Sequence, residues 1–134
     1  MNRYLAPVRY CRFLGLAANC WVLLTLLSAC TSSSSFTQTG QGSYYADKFE
    51  GRKTASGTTY RGSQLTAAHN TLPFGTVIRV TNARNHRSVK VTVTDRGPHV
   101  KGRIVDLSRK AARKIGLVEA GVAPVQLSVV KKKK

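Results

Sequence analysis

Two stretches of the chain alternate between apolar and polar residues. One is Thr76-Val77-Ile78-Arg79-Val80-Thr81, the other Ser88-Val89-Lys90-Val91-Thr92-Val93-Thr94. A period of two is the signature of a half-buried strand. Between them, Asn82-Ala83-Arg84-Asn85-His86-Arg87 supplies turn residues, so the pair is predicted to form a hairpin. Shorter apolar pieces flank it. Gly42 to Ala46 reads as a first strand, Ile104-Val105 as a short buried strand, and Val122 to Val130 as a last strand with Pro124 near its start. Ser108 predicts a helix N-cap, and Arg109 to Ile115 a short helix stopped by Gly116, with Ala111, Ala112 and Ile115 facing the core. Gly51 to Gly62 is rich in Gly, Ser and Thr and reads as a loop. Several short strands and one or two short helices in a small domain predict a mainly-β fold closed into a compact barrel.

The pattern is different upstream. From Phe13 to Ala29 the chain is mostly apolar, interrupted at Asn19, behind a basic start carrying Arg3, Arg9 and Arg12. This run is short for a spanning helix, which needs about 20 apolar residues. It ends in Leu27-Ser28-Ala29-Cys30, which resembles a bacterial lipobox. Residues 1–29 are therefore expected to be a lipoprotein signal peptide, with Cys30 taking the lipid after cleavage. The alternative is an uncleaved membrane anchor in which Cys30 is incidental. Cys11 and Cys20 would leave with the signal peptide, so the exported domain would fold without a disulfide. Residues 31–39 are polar and Ser-rich, a flexible tether that reaches roughly 30 Å at full stretch. Lys131 to Lys134 is expected to be a solvated basic tail.

Charge narrows the partners. The chain carries +17. Without Arg3, Arg9 and Arg12 it keeps 19 of its 22 Lys+Arg against five Asp+Glu, a net +14. A domain this basic is drawn to anionic surfaces. Export argues against nucleic acid. It leaves lipid headgroups, lipopolysaccharide and the carboxylates of peptidoglycan stem peptides as partners.

Two segments carry the candidate chemistry. The first is Leu65-Thr66-Ala67-Ala68-His69-Asn70-Thr71-Leu72-Pro73-Phe74-Gly75-Thr76. The second is Thr94-Asp95-Arg96-Gly97-Pro98, followed by Lys101-Gly102-Arg103-Ile104-Val105-Asp106-Leu107-Ser108. In combination they are specific, and residues 40–130 closely resemble the RlpA family of rare lipoprotein A. The resemblance implies a six-stranded double-psi β-barrel, shared with plant expansins. It also implies an endolytic lytic transglycosylase acting on peptidoglycan strands stripped of stem peptides. Such an enzyme breaks the MurNAc–GlcNAc bond without water and leaves a 1,6-anhydroMurNAc end. No cofactor or metal is implied, and the protein is expected to be a monomer.

The residues can also be judged on their own chemistry. Asp95 ends an alternating strand before a Gly-Pro turn, which places a carboxyl group at a barrel rim. Desolvation there favours the protonated acid. Such an acid can protonate a glycosidic oxygen and, as the conjugate base, then accept a proton from a sugar hydroxyl. One carboxyl group then serves where ordinary glycoside hydrolysis uses two. The alternative for Asp95 is pairing with Arg96 or capping the turn. His69 either orients substrate and stabilises charge, or is buried against backbone groups. Asp106 reads as structural support at the start of the helix. Thr58, Tyr45, Thr66, Asn70 and Arg96 are candidate substrate-binding residues. Strand alternation lets only one of Tyr44 and Tyr45 face sugar, the other facing the core.

Two departures from the family pattern stand out. The loop that usually reads Thr-Ala-(Ser or Asn)-Gly-Glu is Thr54-Ala55-Ser56-Gly57-Thr58 here, so a non-titrating Thr stands where the resemblance implies a second catalytic carboxylate. Glu50 is a candidate substitute. No SPOR repeat follows the barrel in this sequence. Thr58 leaves room for a non-catalytic peptidoglycan-binding lipoprotein, and the charge for a basic lipoprotein that clamps membrane to wall. Thr31 after Cys30, by resemblance to other bacterial lipoproteins, implies the periplasmic face of the outer membrane.

Overall fold

A computed structural model describes residues 36–132. The expected signal peptide, Cys30, the tether up to residue 35, Lys133 and Lys134 lie outside the described residues. Among the described residues no helix is long and apolar enough to cross a membrane.

Six strands form in chain order: β1 (Thr37–Tyr44), β2 (Thr66–Ala68), β3 (Val77–Asn82), β4 (Ser88–Asp95), β5 (Arg103–Leu107) and β6 (Ala123–Lys131). One helix, α1 (Arg109–Lys114), and a 3-10 turn at Asp47–Phe49 complete the set. The strands close into a barrel in the order β1-β5-β2-β4-β3-β6. The β1–β5 and β2–β4 pairs are parallel, the other four antiparallel. The expected mainly-β six-stranded barrel is what the chain adopts.

Alternation explains how the barrel fills. Ile78 and Val80 of β3, Val91 and Val93 of β4, Val105 and Leu107 of β5, and Val125 and Leu127 of β6 all point inward and are almost fully buried. Truncating one of them, Leu107→Ala for example, would cost about 2–5 kcal/mol through lost transfer energy and the cavity left behind. The hairpin forms as expected, with Val77 opposite Thr92 and Thr81 opposite Ser88. Its turn is closed by Asx-type bonds: Arg84 N donates to Asn82 Oδ1 and Arg87 N to Asn85 Oδ1. Asn82 also donates to the Ile115 carbonyl at 2.9 Å, tying the hairpin to the end of α1. Ser108 caps that helix, its hydroxyl accepting from Ala111 N. Gly116, at φ 65°, ends the helix in the left-handed region. Ala111, Ala112 and Ile115 are buried, as the pattern requires.

Three boundaries differ from the expectation. β1 begins at Thr37, and Thr37 to Gly42 pair with β6, so residues 37–39 belong to the barrel and not to the tether. At the other end Lys131 closes β6 opposite Val77, so the basic tail starts one residue later than expected. Both segments are polar or basic, and backbone pairing at a strand edge needs no apolar side chain. β2 lay unseen inside the first chemical segment because three residues are too few to show a period. It sits between β4 and β5, where the small, buried Ala67 and Ala68 fit.

Candidate active site

A groove of about 590 Å³ opens at one side of the barrel. Asp95 from the end of β4 and Asp106 from β5 both line it, with Tyr45 and the Arg96-Gly97-Pro98 turn. The register shows why the two carboxylates meet. Ala68 is the Cα partner of Asp95 on one side and of Asp106 on the other. The two aspartates therefore stand two strand spacings apart, about 10 Å between Cα atoms.

The Asp95 carboxylate is held from three directions. Oδ1 accepts from Ala55 N at 2.8 Å and from Arg96 N at 2.9 Å. Oδ2 accepts from the Tyr45 hydroxyl at 2.7 Å. A carboxylate offers about four acceptor directions, so one on Oδ2 stays open to the groove. Asp95 does cap its own turn, as one alternative held, but the guanidinium of Arg96 turns away from it. That side chain donates to the carbonyls of His69 and Leu72 and lies 3.8 Å from the Phe74 ring centre. Arg96 thus lines the groove while its charge clamps the 69–72 loop. Gly97, at φ 128°, turns the backbone in a way that strains any side-chain-bearing residue.

Tyr45 follows β1, and its ring packs on Tyr60 (4.6 Å between centres) and edge-on to Phe49 (5.8 Å). Burial, then the adjacent Asp95 carboxylate, push its phenol well above the ordinary range. Tyr45 is therefore a fixed hydrogen-bond donor at any physiological pH. Tyr44 also borders the groove, but it packs on the core cluster and its hydroxyl donates to the Val118 carbonyl at 3.4 Å, so Tyr45 is the tyrosine bonded to Asp95.

His69 sits differently from the catalytic placement expected of it. It is 2% exposed and does not line the groove. Nδ1 accepts from Thr71 N at 3.2 Å and Leu72 N at 3.1 Å. Nε2 lies 3.0 Å from Gln38 Oε1 and, since Nδ1 is an acceptor, carries the ring proton to it. Burial, then the charge of Arg96, lowers its pKa and keeps the ring neutral. Its backbone N–H also donates to the Asp95 carbonyl at 3.1 Å. His69 thus supports the strand end that carries Asp95.

The other expected site residues separate in the same way. Thr66 lies in β2 and bonds through its backbone to Ser108, outside the groove lining. Asn70 is exposed and donates to the Pro98 carbonyl at 2.9 Å, steadying the turn beside Asp95. Thr58 is exposed, and its hydroxyl forms a triangle with those of Thr54 (2.9 Å) and Ser56 (3.0 Å). That loop reaches the site through backbone groups alone: Ala55 N on Asp95 and Ser56 N on the Thr94 carbonyl. Glu50 does not replace a missing carboxylate in the groove. It lines a second cavity of about 630 Å³ together with Asp47, Tyr60 and Arg109, accepts from Gly62 N at 2.7 Å and pairs with Arg61. The two cavities are similar in size, but the acids of this one are exposed and already paired with Arg61 and Arg109.

Asp106 is the residue the sequence reading misplaced. Ser108 alone caps the helix, and Asp106 faces the groove. There it accepts from Arg103 Nη2 on both oxygens at 2.8 Å and from the Ser43 hydroxyl at 2.7 Å. Its position between the inward-facing Val105 and Leu107 was the signal that it points away from the core. Lys48, Phe49, Arg52 and Lys53 also line the groove, and only the last two fall in the Gly51 to Gly62 loop that the sequence predicts.

The chain matches the lytic transglycolase family, a double-psi β-barrel family, over residues 37–127. The chain is a member of the RlpA family. It is 52% identical over 98 residues to the endolytic peptidoglycan transglycosylase RlpA of Pasteurella multocida, an alignment covering 73% of this chain and 33% of that protein. The RlpA of Campylobacter jejuni is 50% identical over 94 residues, covering 70% of this chain and 34% of that protein. The chain thus spans about a third of the length of these relatives. Among solved structures it is similar to the Streptomyces papain inhibitor, with a TM-score of 0.59 and 27% identity over 72% of this chain and 96% of that one. A Clavibacter michiganensis expansin shares the fold alone, with a TM-score of 0.57 and 23% identity over 74% of this chain and 52% of that one.

Proposed function

We propose that this RlpA-family barrel is an endolytic lytic transglycosylase that cuts MurNAc–GlcNAc bonds in stem-peptide-free peptidoglycan, with Asp95 as its single acid and base. The observation that carries this reading is the geometry at Asp95: a carboxylate pinned by three donors, with one direction of Oδ2 open to a groove of about 590 Å³. The names of the RlpA relatives from Pasteurella multocida and Campylobacter jejuni agree with it.

The chemistry balances without water. Protonated Asp95 gives its proton to the glycosidic oxygen as the C1–O bond breaks, releasing a free 4-hydroxyl on GlcNAc. The Asp95 carboxylate then takes the proton of the MurNAc 6-hydroxyl as that oxygen closes on C1, forming the 1,6-anhydro ring and restoring the acid. Backbone donors from Ala55 and Arg96 fix Oδ1, so Oδ2 is the atom that carries the proton. Asp106, ion-paired with Arg103 and bonded by Ser43, adds no net charge; it shapes the groove wall two strands from Asp95. His69 and Arg96 hold the Asp95 turn in place. Thr58 leaves the 54–58 loop with hydroxyls only, and this favours a second reading, a binding module that retains the groove without turnover. We place the protein on the periplasmic face of the outer membrane, lipid-anchored through Cys30, from the signal-peptide pattern and Thr31.

The test is digestion of stem-peptide-free glycan strands with product masses read out. Anhydro-ended fragments from wild type, absent with Asp95→Asn, support the enzyme. No release by wild type, with retained binding to the same strands, leaves the binding module. Thr58→Glu sharpens the result, since a large gain would show that the loop has lost a working carboxylate.

A further inference from the structure

The groove rim carries more positive charge than its acids can balance. Five cations line it: Lys48, Arg52, Lys53, Arg96 and Arg103. Arg103 is spent on Asp106, and Arg96 on the carbonyls of the 69–72 loop. Lys48, Arg52 and Lys53 are exposed, and among the described residues no carboxylate lies within ion-pair distance of them. They come from one short stretch, the 3-10 turn Asp47–Phe49 and the loop after it. Three like charges on one rim repel each other, which an anionic ligand would relieve.

Their arrangement narrows the ligand. Two of them lie over the Phe49 ring, Lys48 Nζ 5.5 Å and Arg52 Cζ 5.6 Å from its centre. The same ring meets Tyr45 edge-on, and Tyr45 bonds Asp95. A ring that gathers two cations at the edge of a groove holds them together for one anionic group, and the groove beside them has room for the sugar that bears it. The Tyr45 contact puts this platform beside the acid that would cut the strand.

We propose that Lys48, Phe49, Arg52 and Lys53 form a subsite for a carboxylate-bearing sugar, reading the free lactyl carboxylate of a muramic acid whose stem peptide has been removed. The inference rests on the glycan-strand reading above and adds what selects the strand. A stem peptide turns that carboxylate into an amide, which moves the negative charge out along the peptide and adds bulk at the rim. Selection for bare strands is then built into the cutting groove.

Binding decides the question separately from turnover. The full chain carrying Asp95→Asn is titrated with stem-peptide-free strands, with the same strands whose lactyl carboxyls have been converted to methylamides, and with neutral chitin oligosaccharides. Affinity should drop at least tenfold on amidation and for chitin. Lys48→Gln/Arg52→Gln/Lys53→Gln should bind natural strands about as weakly as the parent binds amidated ones, with no further drop on amidation. Arg79→Gln/Lys90→Gln, which removes two cations from exposed positions of β3 and β4, should keep the full amidation effect. Equal binding of natural and amidated strands overturns the subsite, as does an amidation effect that survives in the rim variant or disappears in the β3–β4 variant. Anhydro products from wild type are scored in parallel. Their absence with amidation-sensitive binding removes the enzyme and keeps the subsite; their presence with amidation-blind binding does the reverse.

Discussion

The two segments that stand out in the sequence meet at Ala68 and do opposite work. The 65–76 segment buries its one titratable side chain. Its His69 is sealed at 2% exposure, both ring nitrogens are bonded, and its carbonyls grip Arg96. The 94–108 segment gives the groove Asp95, Arg96, Arg103 and Asp106. Both are dense in residues that can do chemistry. Burial separates them: a titratable group with every polar atom bonded inside the protein holds shape, and one with an open lone pair on a groove can move a proton.

Several substitutions would break or sharpen that contrast. The largest effect is expected from Asp95→Asn, which should lower turnover on the order of a thousandfold while circular dichroism stays native. His69→Ala should act on stability instead. It strands the Thr71 and Leu72 N–H groups and should cost about 2–4 kcal/mol in urea unfolding. Tyr45→Phe removes one charge-assisted bond from Asp95 and should lower turnover roughly tenfold or somewhat more. The pH dependence of stability has a definite sign. The folded state holds His69 below its ordinary 6.5, so the unfolded chain binds the proton more readily. Stability should fall as pH drops below about 6.5, at no more than about 1.4 kcal/mol per pH unit for one proton. His69→Gln should flatten that limb in denaturant titrations across pH. The smallest effect belongs to Glu50→Gln, expected to leave turnover within about twofold because Glu50 belongs to the other cavity.

Much of this division was legible beforehand, and the rest was hidden for physical reasons. The β3–β4 hairpin and the Ser108-capped helix followed from period and caps, because local rules govern them. β2 did not, since three residues held between two longer strands are specified by tertiary pairing. Asp95 was placed correctly at a rim because a strand end before Gly-Pro has few other places to go. His69 looked reactive because its Gln38 partner lies 31 positions away, on a strand the residues around it do not announce. Asp106 was assigned to the helix by proximity in sequence, when alternation with Val105 and Leu107 already set its face. The basic rim of the groove is not legible in the sequence, because a charged loop looks alike whether or not it borders a cavity.

The division of labour between the two segments is tested most directly by counting 1,6-anhydro ends released per folded molecule from stem-peptide-free strands by wild type, Asp95→Asn and His69→Gln. The expected result is background for Asp95→Asn and a value within about tenfold of wild type for His69→Gln, since His69 only positions the acid. Anhydro ends persisting in Asp95→Asn, or a folded His69→Gln falling to the same background, would contradict it.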